Sequence, residues 1–203
     1  MNALLIALTL SQFPMDVFEN AGAFTEVETR DGVTLSKRAV KDSPYFEYRV
    51  ATTSSYSVAQ LCDATYDWGT HEGDSPGVTL FKVVEDGDDV RVVYNQITRP
   101  IVAKRDYALT IVRLREGERC RIRFRTANDK APAKPEGFVR MDKLWGEWLF
   151  EPAEKGSKLT YTLYSDPAGS VPAFLVHGGQ SGATRESLMT ALSKTKKAVE
   201  AKR

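Results

Sequence analysis

Side-chain catalysis needs a group that can hold or move a proton beside a nucleophile, and this chain is poor in such pairs. Its only histidines are His71 and His177, and its only cysteines are Cys62 and Cys120. No Gly-x-Ser-x-Gly elbow sets a serine on a strand-to-helix turn, and neither histidine sits in a recognisable motif. His177, just ahead of two glycines, is placed to act as acid or base near the start of a helix. The commoner role for such a residue is an interfacial histidine with one hydrogen bond. Glu147 and Asp106 fall in strand-like stretches, where each is expected to pair with an arginine across a sheet. Two histidines and two cysteines leave no His-rich or all-cysteine metal spacing. No glycine-rich phosphate loop is present either. The reading assigns no catalytic residue, no metal and no cofactor.

A second chemistry is charge recognition. Arg119, Arg121, Arg123 and Arg125 alternate with Cys120, Ile122 and Phe124, so the arginines share one face of a strand. Such a row suggests an anionic headgroup or phosphate. The simpler expectation is the solvated outer face of an antiparallel sheet, partly neutralised by cross-strand carboxylates. Overall charge supports the simpler one: Lys plus Arg total 28 against 27 Asp plus Glu, a formal net charge of +1. That balance gives no electrostatic case for nucleic acid. The third chemistry is apolar binding, which needs a concave apolar surface with a few orienting polar groups. Candidates are Tyr94, Gln96, Tyr107, Leu109, Ile111, Ile122, Phe124, Trp145, Trp148, Phe150, Tyr161 and Phe174. For each of them plain core packing is the competing role. Both faces of the 144–150 strand carry aromatics, so the sequence does not choose between them.

The elements that must position these residues are legible from periodicity. Residues 24–40 make two short alternating runs joined at Asp31-Gly32, a strong hairpin signal. A third strand holds Phe46, Tyr48 and Val50. Ser57 opens a helix with Val58, Leu61, Cys62 and Thr65 suited to one face. Four strands follow, at 78–84, 90–97, 104–114 and 118–126. In the second of these, Val90, Val92, Tyr94 and Gln96 share a face. Next come an aromatic strand through Trp145 and Trp148, and an alternating one with Leu159, Tyr161 and Leu163 on one face. Asp166, Pro167 and Gly169 break it, and Pro172 suits the first turn of a final helix of about 28 residues. Consecutive strands with tight turns form an antiparallel meander, and the helices must cover one of its faces. The class is α+β.

The 203 residues suffice for one domain with a sizeable core; 42% are hydrophobic and 27% charged. Leu4 to Leu10 is an apolar run too short to span a bilayer. It reads either as a short first helix or as the remnant of a secretory signal. The compartment stays open between periplasmic or secreted and cytoplasmic.

Three local patterns carry a resemblance. Arg105-Asp106-Tyr107 follows a loop and opens a long strand. Val139-Arg140 precedes Gly146-Glu147-Trp148-Leu149-Phe150-Glu151-Pro152. Thr160-Tyr161 precedes Asp166-Pro167-Ala168-Gly169-Ser170-Val171-Pro172. In that order they resemble the START lipid-transfer domain of the wider helix-grip (SRPBCC) superfamily, over roughly residues 18–200. The resemblance implies a helix-grip fold: a curved antiparallel sheet wrapped around a long C-terminal helix, with an internal hydrophobic cavity. It divides the chain into an N-terminal apolar segment, residues 1–17, and a single START-like domain, residues 18–203. It implies a monomer that binds a sterol, phospholipid or fatty-acyl lipid and touches membranes transiently, without nucleic acid. Two alternatives accompany it: a polyketide cyclase or hydratase-like enzyme, and a lipid-sensing module acting through a protein partner.

Two departures from the family pattern stand out. Sterol-binding members often carry a buried arginine six residues beyond the Arg of the Arg-Asp motif, and here that position is Ile111; Arg113 shares its face. The last helix opens with His177-Gly178-Gly179-Gln180-Ser181-Gly182, and each glycine costs helix stability, about 1 kcal/mol against alanine. Gly178, Gly179 and Gly182, with Arg99 and Pro100 of the 98–103 loop, are the expected gate. The glycines act either as a hinge or as close-approach points. Cys62 and Cys120, one on a helix and one on a distant strand, are expected to stay unpaired.

Overall fold

The computed structural model describes residues 22–67, 77–98, 103–169 and 171–202. The N-terminal apolar run, Arg99 and Pro100 lie outside them. The described residues begin with β1 (Thr25–Arg30), β2 (Val33–Ala39) and β3 (Phe46–Ser54), followed by helix α1 (Val58–Asp67). Strands β4 (Val78–Asp86), β5 (Val90–Ile97), β6 (Lys104–Glu116) and β7 (Arg119–Thr126) come next. After β8 (Phe138–Arg140), strands β9 (Lys143–Pro152) and β10 (Ser157–Asp166) lead to helix α2 (Ala173–Glu200). The strands form one curved sheet in the order β1-β2-β3-β10-β9-β7-β6-β5-β4, with short β8 lying parallel beside β6. All other pairings are antiparallel, as the meander requires.

Local chemistry explains the turns. Asp31 and Gly32 both have positive φ, 52° and 72°, the backbone a two-residue hairpin needs to match strand twist. Ser57 and Gln60 form a reciprocal capping box at α1: the Gln60 N–H donates to Ser57 Oγ at 3.2 Å, and the Ser57 N–H to Gln60 Oε1 at 2.9 Å. α2 has no comparable cap: its N-cap residue is Pro172, which makes no side-chain capping bond among the described residues. Its 28-residue length matches the sequence reading.

Both helices lie on one face of the sheet. The inward residues include Leu35, Val50, Leu109, Ile122, Phe150, Leu159 and Tyr161, and they join Leu61 of α1 and Leu188 of α2 in one core. The opposite face carries the charged network. Arg121 Nη1 and Arg123 Nε reach Glu147 at 3.0 and 2.6 Å, and Arg121 also meets Glu116. The arginine row therefore faces away from the helices and is neutralised across strands. It is less solvated than expected, because Arg123 is buried in this network.

One expectation is overturned. Cys62 and Cys120 are joined in a disulfide, with their Cα atoms 6.1 Å apart. The buried face of α1, which holds Leu61, Cys62, Thr65 and Tyr66, folds back over β7 and β9. It meets the inward residues of β7, of which Cys120 is one. A separation of 58 residues conceals that contact from any local reading.

Candidate functional site: the helix-facing wall

Strand register lines the wall up in rows. Leu163, Gly146, Phe124, Ile111 and Arg91 face each other in turn across β10, β9, β7, β6 and β5. In the next row Tyr161 stacks on Trp148 at a centroid distance of 4.0 Å, with Ile122 beyond. Gly146 is required in the first row. A Cβ there would lie 2.3 Å from the Phe124 ring and 2.4 Å from the Thr162 carbonyl oxygen. The missing side chain lets the Phe124 ring lie flat against the β9 backbone.

Most of the candidates converge here. Tyr107, Leu109, Ile111, Ile122, Phe124, Trp148, Phe150 and Tyr161 all belong to the helix-facing cluster. Four do not. Tyr94 and Gln96 stand on the other face, where Tyr94 Oη donates to Asp106 Oδ2 at 2.9 Å and Gln96 Nε2 donates to Tyr94 at 3.3 Å. Trp145 also faces outward, stacked on Tyr164 at 4.0 Å with its Nε1–H directed to Glu47. In each case strand parity decides, because Val93, Tyr107 and Trp148 take the inward positions. Phe174 is 73% exposed; it lies on the solvent side of the first turn of α2, and the buried residue there is Val176.

The candidate acids and the histidine are occupied in structural roles. Asp106 is fully buried and bound by Arg140, whose Nη2 lies 2.5 Å from Oδ2. That hydrogen bond holds the Arg140 guanidinium above its usual pKa. Glu147 is shared by Arg121 and Arg123. His177 Nε2 donates to the Pro44 carbonyl at 3.0 Å and its ring packs on Phe46, so it is interfacial with one hydrogen bond. Arg113, which shares the face of Ile111 on β6, turns to Asp89 at 2.7 Å and Asp63 at 3.3 Å.

The sequence reading missed the polar groups of the wall. Asn95 pairs with Tyr107 in register and faces inward between Val93 and Ile97. It is 5% exposed. Assigning the Tyr94 face of β5 to the interior hid it; the β5–β6 register supplies the missing signal. From α2, Gln180 Nε2 donates to the Ser165 carbonyl, and its Oε1 is buried without a partner among the described residues. Ser187 bonds the Tyr161 hydroxyl, whose pKa burial pushes well upward, so that hydroxyl keeps its proton. Arg105 is buried at the same end of the sheet. Its guanidinium donates to the carbonyls of Pro167 at 3.1 Å, Ala168 at 3.4 Å and Ala103, and burial lowers its pKa. The three gate glycines are on the open side of α2, and a Cβ on any of them would meet nothing within 4 Å. The close-approach reading of those glycines is thereby excluded.

No protein-family model matches the chain. An uncharacterized protein of Pseudomonas aeruginosa is 27% identical over 150 residues, 72% of this chain and 74% of that protein. Among solved structures, the STAR-related lipid transfer protein of Xanthomonas axonopodis superimposes with a TM-score of 0.77 at 20% identity, covering 86% of this chain and 99% of that one. Human STARD10 gives 0.76 at 18% identity, over 95% of this chain and 80% of the other. More distantly, the di-domain ARO/CYC StfQ from the steffimycin biosynthetic pathway gives 0.51 at 10% identity, over 98% of this chain and 95% of that one. Sheet order, the two helices on one face and these superpositions agree: the chain has the START-type helix-grip fold.

Proposed function

We propose that the chain binds a lipid between its sheet and α2 and carries it between membranes, touching each transiently as a monomer. The observation that carries this reading is the helix-facing wall itself. It is a largely apolar surface drawn from many strands and covered by a helix whose buried residues include the small Thr184, Ala191 and Thr195 beside Val176 and Leu188. Small residues on a covering helix leave room that large ones would fill. The likeness in fold to lipid-transfer proteins supports the same reading. An enzyme of the cyclase type has less support, since the carboxylates and the histidine considered for it are held in ion pairs or at an interface. The Cys62–Cys120 bond is of a kind kept in oxidising compartments, so the reading carries a periplasmic or secreted address.

The test is extraction of the purified protein with organic solvent, followed by mass spectrometry and by transfer of a fluorescent lipid between vesicles. A stoichiometric lipid and protein-dependent transfer are expected. An empty protein that neither binds nor moves any lipid would sink the reading.

A further inference from the structure

The wall has two ends, and they are built differently. Resting on the lipid-binding reading, we infer that α1, fixed in place by the Cys62–Cys120 bond, is a rigid stop at one end of the groove. It sets the longest chain that the ligand can carry.

Three fastenings lay α1 across the strands. At its start the Ser157 hydroxyl of β10 donates to the Tyr56 carbonyl at 2.9 Å. In its middle Cys62 is bonded to Cys120 of β7. At its end Arg91 of β5 and Arg113 of β6 both lie over the Tyr66 ring, 4.3 and 4.1 Å from its centroid. Arg91 Nη1 also donates to the Tyr66 carbonyl at 3.0 Å. The helix therefore runs from β10 to β5, crossing β9, β7 and β6 on the way. Cys120 gives the level of that crossing. It stands in the row Leu159–Phe150–Cys120–Arg115, one step beyond the row of Tyr161 and Trp148. α2 heads for the same level: Gln180 bonds the Ser165 carbonyl, Ser187 bonds the Tyr161 hydroxyl further along β10, and the two helices pack on each other. The groove is closed there by α1, while its other end lies under the uncapped first turns of α2.

The flank that α1 turns inward follows from its charged side. Asp63 reaches Arg115 at 3.0 Å and Arg113 at 3.3 Å, and its side chain is 51% exposed, so it marks the outer margin. Leu61 projects about 200° away from Asp63 around the helix and is fully buried. Thr65, one turn beyond Leu61, is buried on the same flank, and its hydroxyl makes no hydrogen bond among the described residues. A chain end that reaches this flank meets a helix covalently tied to the sheet, in a close-packed interior that does not yield. Each methylene buried before contact should tighten binding roughly fourfold. The first that does not fit must bend the chain or push the head outward. The result is a cut-off in length, not a graded preference.

The experiment uses the full chain and two homologous series, straight-chain fatty acids and lysophosphatidylcholines, each displacing a fluorescent fatty acid at equilibrium. Affinity should climb with chain length and then drop about tenfold within about two further carbons. Leu61→Ala should move that drop about two carbons longer. Thr65→Leu, which forfeits no hydrogen bond, should move it about two carbons shorter. Cys62→Ser with Cys120→Ser, measured well below its melting temperature, should keep the climb and flatten the drop to about threefold or less. If Leu61→Ala melts early, Thr65→Leu and the cysteine variant decide. A climb without a drop, a drop at the same length in the Leu61 and Thr65 variants, or an equally steep drop without the disulfide overturns the inference while lipid binding stands. So does a lipid recovered by extraction when neither series binds. If no probe binds and no lipid is extracted, the carrier reading falls and the inference with it.

Discussion

Asp106 shows most sharply what single residues contribute. It is fully buried and its charge is answered by Arg140, with Tyr94 donating a further hydrogen bond. Removing one partner strands the other, so Arg140→Ala should destabilise the protein by about 3–5 kcal/mol. The double replacement Asp106→Asn with Arg140→Met should cost clearly less. Urea midpoints compare the two, and equal losses would contradict the pairing. Gly146 makes the opposite point, since its importance lies in an absent atom. Gly146→Ala drives a methyl into the Thr162 carbonyl and the Phe124 ring, and should cost about 2–3 kcal/mol in the same measurement. Chemistry at this scale was partly legible from sequence. The arginine partners of Asp106 and Glu147 followed from strand placement alone. Asn95 and Gln180 did not, because an isolated amide carries no periodic signal and its burial depends on which strand lies beside it.

At the scale of elements, hairpin, strands and helices could be read from alternation and turn chemistry, since each depends on residues close in the chain. The parity of β5 could not, because alternating residues on both of its faces are buried. α2 joins two halves of unequal strength. From Thr184 onward it is anchored through buried Leu188, Ala191 and Thr195. Its first turns lack a cap and carry three solvent-side glycines. Gly178→Ala and Gly179→Ala should each stabilise the protein by about 1 kcal/mol, seen as a higher melting temperature. If the weak half is the gate, both variants should also release lipid more slowly. A raised melting temperature with unchanged release would separate helix stability from gating and end the hinge idea.

For the whole molecule, the disulfide is the feature sequence reasoning inverted, because it depends on α1 folding back over a sheet whose strands come later in the chain. In the chain-entropy picture, closing a loop of 58 residues contributes about 4 kcal/mol. The Cys62→Ser, Cys120→Ser protein should be less stable by that order in urea, and thiol titration of the native wild type should find no free cysteine. An indistinguishable midpoint would show the bond to be stabilising nothing. The bond has a further consequence for the chain's connectivity. β4, β5 and β6 all lie within the covalent ring between Cys62 and Cys120. A protease cutting at the exposed Gly87-Asp88 turn would open that ring without dividing the molecule. The two pieces would migrate as one species until a reductant parted them, so damage to this half of the sheet stays invisible on a non-reducing gel.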